Sequence, residues 1–227
     1  MPVICFASTK GGAGKTTSAI TLGTTLAREH RVVMIDTDPE LHLLRWANKN
    51  PESINHMTVW AQSDEHAILD AIDRAKLEFD FAIIDTEGAA NRLNSIVLSE
   101  SDLVIVPMAE TPGEKEGAKE TIKKISLESR IVRRPIPFTI LFNRIDYRTR
   151  SNFEKKIRAE MEEAYSCLDA EFRARVAYNY VQENGGTLWD IPNGEGGVVR
   201  AAIENAELAA VNIRYMLDWL KANCADA

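Results

Sequence analysis

The feature that most constrains this chain is a glycine-rich loop close to its start, where residues 6–22 read FASTKGGAGKTTSAITL. An apolar run precedes the loop and a helical pattern follows it, as in phosphate-binding loops. The glycines allow backbone N–H groups to turn inward around phosphate oxygens, and the following helix directs its positive end at them. The loop therefore predicts an α/β nucleotide-binding fold, in which Lys15 reaches the β- and γ-phosphates and the Thr16 hydroxyl binds Mg²⁺.

Short apolar runs and helical patterns alternate along the rest of the chain. The runs are rich in β-branched residues, as parallel strands buried on both faces are. They read VICFAS, RVVMID, FAIID, LVIVPM and FTILFN, with MTVWAQ as a weaker candidate. The helical patterns cover residues 16–29, 41–48, 65–77, 91–99, 114–128, 152–164, 174–183 and 195–222. The alternation predicts a doubly wound, mostly parallel sheet flanked by helices. We expect one domain over residues 1–227, without a separate DNA-binding or membrane domain.

Composition excludes several classes of protein. No apolar run approaches the roughly 20 residues that a membrane span requires. The three cysteines are scattered and form no CxxC pair, so we expect reduced thiols, a cytoplasmic location and no metal-cluster site. The start of the chain, MPVICFAST, lacks the basic and apolar regions of a signal peptide.

Polar clusters follow four of the predicted strands, and they read TKGGAGKTT, DTDPE, DTEG and NRID. In a doubly wound sheet ligands bind at the carboxyl ends of the strands, so we expect these clusters to converge on one site. In DTDPE, one of Asp36 and Asp38 could cap the next helix. Two carboxylates beside a phosphate site also fit Mg²⁺ waters and placement of the attacking water. In DTEG, Asp85 would hold Mg²⁺ through water.

The cluster NRID concerns the base of the nucleotide. The Asn143 amide can pair with N6 and N7 of adenine in a bidentate manner. The same spacing also resembles the guanine-reading NKxD sequence of GTPases, with Arg144 in place of lysine. This cluster alone leaves ATP and GTP open.

The sequence KGGAGKTT resembles the deviant Walker A loop of the ParA/MinD family of ATPases, and the resemblance extends from the first strand through NRID. The loop departs from a standard P-loop because Thr9 stands at the position of its first glycine. The resemblance implies ATP and Mg²⁺ as cofactors. It implies nucleotide contacts from Lys10, Gly11, Gly12, Ala13, Gly14, Lys15, Thr16, Thr17 and Asn143, metal contacts from Thr16, Asp36 and Asp85, and catalytic roles for Lys10, Lys15 and Asp38.

In this family a signature lysine, matched here by Lys10, crosses a face-to-face dimer to the phosphates of the other subunit. Such a cation compensates phosphate charge only when the dimer closes, as an arginine finger does. The cluster DTDPE looks like the family's DxDPQ switch with Glu40 in place of glutamine, so Asp38 would orient the hydrolytic water. The family commonly has prolines after DT, where this chain has Glu87 and Gly88.

The chain carries a net charge of −7, yet residues 128–158 contain nine Lys/Arg and three acids. We call these residues the basic window. A charge run of this kind is either a solvated helix face or an anion-binding surface on an acidic protein. If it binds DNA, the candidate contacts are Arg130, Arg133, Arg134, Arg148, Arg150, Lys155, Lys156 and Arg158.

The resemblance implies an ATPase that partitions DNA or a protein cargo. It would form a homodimer with ATP, bind duplex DNA without sequence preference on the nucleoid, and hydrolyse ATP slowly until a ParB-like partner or cargo adaptor stimulates it. A MinD-like membrane cycler is an alternative, but the final residues, ANCADA, do not form the basic amphipathic end of such proteins, so we expect no membrane binding. A metabolic P-loop ATPase is the other alternative.

Overall fold

The structure is a computed structural model that describes residues 1–88, 91–146, 150–192 and 198–224. Its strands are β1 Val3–Phe6, β2 Val32–Asp36, β3 Thr58–Ala61, β4 Phe81–Asp85, β5 Leu103–Met108, β6 Phe138–Ile145 and β7 Phe172–Arg173. Its α-helices are α1 Lys15–Leu26, α2 His42–Lys49, α3 Ala67–Glu78, α4 Arg92–Glu100, α5 Pro112–Val132, α6 Asn152–Ala164, α7 Val176–Asn184 and α8 Val199–Cys224, and a 3₁₀ turn covers Leu188–Asp190.

The seven strands form one sheet in the order β3-β2-β4-β1-β5-β6-β7, and every pair is parallel. The chain moves outward from β1 to one edge and then, after β4, crosses to the other. This reversal creates the switch point at which doubly wound sheets bind ligands, next to the carboxyl end of β1. The predicted fold class is therefore confirmed, and the weak candidate MTVWAQ forms the edge strand β3.

Two apolar layers cover the faces of the sheet. Ile4 and Phe6 of β1 point into a core shared with α1, α7 and α8, whereas Val3 and Cys5 point into a core shared with α3, α4, α5 and α6. All four side chains are fully buried, which explains the continuous apolar sequence of the strand. Burial raises the pKa of the Cys5 thiol to about 12, so this cysteine is an unreactive packing residue.

Some helix bounds differ from the predicted ones for local reasons. Helix α5 begins at Pro112 because proline suits the first helical position and the Thr111 side chain accepts a hydrogen bond from the Glu114 N–H. It ends at Val132, and the capping residue that follows, Arg133, adopts a left-handed backbone with φ of 54°. The predicted helix 195–222 is present from residue 199 to residue 224, and its first predicted residues lie outside the described part of the chain.

Helix α8 both packs against the core and faces solvent. Its buried side belongs to the core around α1, and its other side exposes a stripe formed by Leu208, Val211, Tyr215 and Trp219. The helix therefore packs against the core with one face and exposes apolar side chains on the other. Among the described helices, none combines the length and the hydropathy needed to cross a membrane.

Candidate nucleotide-binding site

The glycine-rich loop wraps the start of α1 in a shape that depends on its glycines. Gly12 and Gly14 have φ angles of 78° and 91°, which side chains rarely adopt. Gly14 is restricted a second time, because a β-carbon there would lie 2.1 Å from Nδ2 of Asn143. The loop therefore presents its backbone to the first turn of α1, where unpaired N–H groups favour phosphate oxygens.

One cavity of about 960 Å³ lies at the carboxyl ends of the strands. All four predicted polar clusters contribute to its wall. The phosphate loop contributes Gly11, Gly12, Gly14, Lys15, Thr16 and Thr17, and the other clusters contribute Asp38, Pro39 and Glu40, then Glu87 and Gly88, and then Asn143 and Arg144. Lys15 lines the cavity and is 8% exposed, whereas Lys10 is exposed and does not line it. The two lysines of one loop thus face different surroundings.

Thr16 and Asp85 meet at the carboxyl end of β4, with the Thr16 hydroxyl donating to Oδ2 of Asp85 at 2.6 Å. Burial raises the pKa of the Asp85 carboxyl to about 7, against the opposing effects of the Thr16 hydrogen bond and the Lys15 charge. Within the described residues its Oδ1 atom is buried without a hydrogen-bond partner. A buried carboxylate oxygen that lacks a partner, beside a hydroxyl and a phosphate loop, fits a Mg²⁺ ion that keeps several of its waters.

Asp36 is occupied by the backbone that follows it. Its Oδ1 accepts the N–H of Asp38 at 3.1 Å and its Oδ2 accepts the N–H of Leu44 at 2.9 Å, in the first turn of α2. Burial raises the pKa of Asp36, and these backbone hydrogen bonds oppose the rise. In this structure Asp36 fastens the loop before α2, and its predicted metal contact stays a prediction. Asp38 reaches the cavity, and its Oδ1 accepts the N–H of Glu40 at 2.8 Å.

Both polar atoms of the Asn143 side chain have partners, and the amide nitrogen joins β6 to the phosphate loop and α1. Its Nδ2 lies 3.3 Å from both the Ala13 carbonyl oxygen and the Ser18 hydroxyl, and its Oδ1 accepts the N–H of Arg144 at 2.8 Å. The side chain is buried between β6 and α1. Its predicted contact with adenine stays a prediction, and it would require the amide to exchange these partners.

The remaining lining residues were not assigned from the sequence. One is His42, at the start of α2. We call the others the α7 wall, and they are Arg173, Ala174, Arg175, Val176, Tyr178, Asn179 and Gln182. Strand β7 places them beside the carboxyl end of β6 but has only two residues, too few to give a periodic pattern. A hydrogen bond of 3.1 Å from the Thr17 hydroxyl to Oε1 of Gln182 connects α1 to this wall.

Comparison with known proteins identifies the family of a chain with this site. The VirC1 protein family matches residues 1–222. The chain belongs to this family. The VirC1-family chain is 34% identical over 217 residues to protein ParA of Rhizobium radiobacter, an alignment that covers 94% of this chain and 96% of the relative. It is 29% identical over 194 residues to protein virC1 of the same organism, covering 82% of each protein.

A solved structure shares the fold of the VirC1-family chain. It is a putative plasmid partition protein from Borrelia burgdorferi bound to AMPPNP, with a TM-score of 0.74 and 18% identity. The superposition covers 95% of this chain and 99% of that one. The predicted resemblance to the ParA/MinD-type P-loop ATPases is therefore confirmed.

The DTEG cluster of this VirC1-family chain lies against the phosphate loop. A β-carbon at Gly88 would lie 3.3 Å from the Gly11 nitrogen and 3.5 Å from the Lys15 ammonium. Glu87 lines the cavity and is held at the start of α4, because its Oε2 accepts a hydrogen bond at 2.8 Å from Nδ2 of Asn91, the residue that caps this helix. The glycine thus permits a close approach of this loop to the phosphate loop.

The structure divides the basic window of the VirC1-family chain into two groups. Arg150 and Arg158 both pair with Glu110, which is 4% exposed, and Arg158 also binds Glu171 at 2.6 Å. Arg134 donates to backbone carbonyl oxygens at the end of α4. Arg144 pairs with Glu114 at 3.2 Å. The second group consists of exposed cations that form no ion pair within the described residues, and they are Arg130 and Arg133 at the end of α5 and Lys155 and Lys156 on α6. Arg148 lies outside the described residues.

Proposed function

We propose that this chain is an ATPase that dimerises with ATP and Mg²⁺ and partitions or positions DNA or another cargo. The observation that carries the proposal is the different placement of the two loop lysines. Lys15 is buried in the wall of the cavity, whereas Lys10 is exposed and lies outside it. A second cation that belongs to the phosphate loop but not to its own cavity fits a role in the site of another subunit.

Each residue of the site has a role in this proposal. Lys15 and the backbone N–H groups at the start of α1 bind the phosphates. Thr16, and Asp85 through water, would hold Mg²⁺, which neutralises phosphate charge. Asp38 orients the water that attacks the γ-phosphate. Hydrolysis is slow in the monomer because Lys10 of the other subunit reaches the phosphates only when the dimer closes, and a partner protein accelerates it further.

Light scattering of the protein with ATP and Mg²⁺ separates these roles. Lys15→Ala should abolish ATP binding, and with it dimerisation and hydrolysis. Lys10→Ala should bind ATP like the wild type, yet remain monomeric and inactive. Asp38→Ala should bind ATP and form a dimer that persists, because the attacking water is misplaced. If Lys10→Ala dimerises and hydrolyses ATP like the wild type, the proposal is wrong.

We further propose that the ATP-bound dimer binds duplex DNA without sequence preference through the exposed group of the basic window. The support is the exposure of Arg130, Arg133, Lys155 and Lys156 on a protein of net charge −7. Arg150 and Arg158 are neutralised by internal acids, so they contribute less than the charge count predicts. Release would follow hydrolysis, and the nucleoid would be the site of action.

The salt dependence of DNA binding tests this surface. Each phosphate contact contributes about −0.9 to the slope of log K against log salt concentration, so Lys155→Ala with Lys156→Ala should flatten it by about 1.8. Arg214→Ala with Lys221→Ala removes two exposed cations of α8 and serves as the control. Equal slopes for the two double variants, or no DNA binding by the wild type at low salt with ATP, would reject DNA as the ligand.

A further inference from the structure

Lys10 and its neighbour Thr9 lie along one face of α5. Thr121, Gly117 and Gly113 are spaced four residues apart, so they share a side of this helix. Thr9 connects the phosphate loop to that side of the helix through hydrogen bonds from both its backbone and its side chain. The Thr9 N–H donates to the Thr121 hydroxyl at 3.0 Å, and the Thr9 hydroxyl donates to the Gly117 carbonyl oxygen at 3.2 Å.

These contacts give a physical reason for threonine at position 9, where a standard loop has glycine. Glycine would leave the Gly117 carbonyl oxygen without the hydroxyl that Thr9 supplies. The hydroxyl also lies 3.5 Å from Oε2 of Glu120, on the same turn of the helix. Thr9 therefore fixes the direction in which the chain enters the loop and starts Lys10 along α5.

The Lys10 side chain continues over the two glycines. A β-carbon at Gly117 would lie 3.3 Å from Cδ of Lys10 and 3.5 Å from its Cβ and Cγ. A β-carbon at Gly113 would lie 2.6 Å from Nζ, closer than such atoms approach in proteins. Glycine weakens a helix because it loses more conformational freedom on folding than other residues do. In α5, however, the missing side chains of Gly113 and Gly117 leave a channel that the lysine stem occupies.

The channel holds the stem of Lys10 by shape and leaves its charge uncompensated. The ammonium lies beside Gly113 in the first turn of α5, where the helix dipole is positive. In the described part of the chain no side chain or carbonyl group accepts a hydrogen bond from it. A cation in this position gains by meeting phosphate oxygens, and the wall of its own cavity includes Lys15 but not Lys10.

We propose that Thr9, Gly113 and Gly117 are positioning residues that hold Lys10 extended on α5, outside its own cavity, so that it is ordered before the dimer forms. The inference rests on the proposed function, since it assigns Lys10 to the other subunit's phosphates. Ordering a long side chain in advance removes part of the entropy cost of association. The glycines therefore act on dimer affinity and not on ATP binding.

Gly113→Ala and Gly117→Ala test the inference, with Glu116→Ala as a control on an exposed side of the same helix. Alanine favours helix over glycine, so both variants should fold and their unfolding midpoints should not fall. We expect dimers in saturating ATP and Mg²⁺ to dissociate about three- to tenfold more readily. ATP affinity measured by calorimetry should match that of the wild type, and the control should dimerise normally.

Nuclear magnetic resonance of protein labelled at the lysine Cε positions tests the mechanism. The Lys10 signal, identified by its absence in Lys10→Ala, should differ in chemical shift from the signals of the other exposed lysines and move to their position in both glycine variants. Weaker dimers with an unchanged Lys10 signal would overturn the inference, because the added methyl group would then act on the interface directly.

Two results separate the inference from the function on which it rests. If Lys10→Ala dimerises like the wild type, the proposed function fails, whatever the glycine variants do. If Lys10→Ala loses dimerisation while Gly113→Ala and Gly117→Ala dimerise as tightly as the wild type or more tightly, the proposed function survives and only the positioning role is wrong.

Discussion

The phosphate loop and the α7 wall line the same cavity but are built in different ways. The phosphate loop is one continuous stretch, and its shape follows from Gly12, Gly14 and the helix that begins at residue 15. The α7 wall is held in place by the pairing of β7 with β6 and by the hydrogen bond between Thr17 of α1 and Gln182 of α7. The part of the cavity wall formed by the phosphate loop therefore rests on local geometry, whereas the part formed by the α7 wall rests on packing between distant segments.

This difference makes the two regions respond differently to mutation. In the phosphate region, buried polar groups such as Asp85 and Asn143 lie close to backbone atoms that cannot move away. In the α7 wall, polar groups such as Gln182 are exposed and water can replace their partners. We therefore expect the largest effects of mutation at the first region and the smallest at the second.

The largest effect on stability should come from Asp85→Asn in metal-free protein. Burial raises the pKa of Asp85 to about 7, above its value in the unfolded chain. The folded state therefore binds the proton more tightly, and the stability that this supplies is complete below pH 4 and lost as the pH rises through 7. Removing the ionised carboxylate should stabilise the protein at pH 8 by roughly 2–4 kcal/mol more than at pH 4.

Urea unfolding in EDTA at the two pH values measures this difference. With ATP present, Asp85→Asn should also lose the increase in affinity that Mg²⁺ gives the wild type. A gain in stability that is the same at pH 4 and pH 8 would mean that the carboxylate is not held in the low-polarity position that the structure gives it.

The contrast between the two regions also explains what could be predicted from the sequence. Lys15 and Thr16 could be assigned because the glycines, the preceding strand and the following helix are adjacent in the chain. Asp85 could be placed because it ends an apolar run, and the carboxyl ends of parallel strands share one edge of the sheet. In each case a single local pattern fixes the position of the side chain.

Contacts between distant segments could not be predicted in this way. Arg150 and Arg158 belong to a basic run in the sequence, but a buried glutamate 40 and 48 residues before them binds both. Gly113 and Gly117 look like weak points of a helix until Lys10, more than a hundred residues away in the chain, is seen to lie on them. Neither charge nor periodicity records which segment packs against which.

A smaller effect than that of Asp85 should come from Asn143→Ala, because the amide joins β6 to the phosphate loop. The variant leaves the Ala13 carbonyl oxygen and the Arg144 N–H without this partner, which should reduce the free energy of unfolding by about 1–3 kcal/mol. ATP and GTP affinities should fall together, since the loop itself is loosened.

Denaturant unfolding and calorimetry with both nucleotides measure these changes. Ser18→Ala removes only one of the partners of Asn143 and should cost less, which makes it the matched control. A selective loss of ATP affinity in Asn143→Ala would instead assign the amide to the adenine ring and place the base against β6.

The smallest effect should come from Gln182→Ala in the α7 wall. Its hydrogen bond with Thr17 is exposed, and exposed neutral hydrogen bonds contribute about 0.5–1.5 kcal/mol at most because water replaces the lost partner. We expect ATP affinity to fall by no more than about threefold and the unfolding midpoint to stay close to that of the wild type. Asn179→Ala provides the comparison, because Asn179 is another exposed residue of the same wall and forms no hydrogen bond with α1 within the described residues. A loss of ATP affinity in Gln182→Ala as large as that in Asn143→Ala would show that the α7 wall, and not only the phosphate loop, is a rigid part of the site.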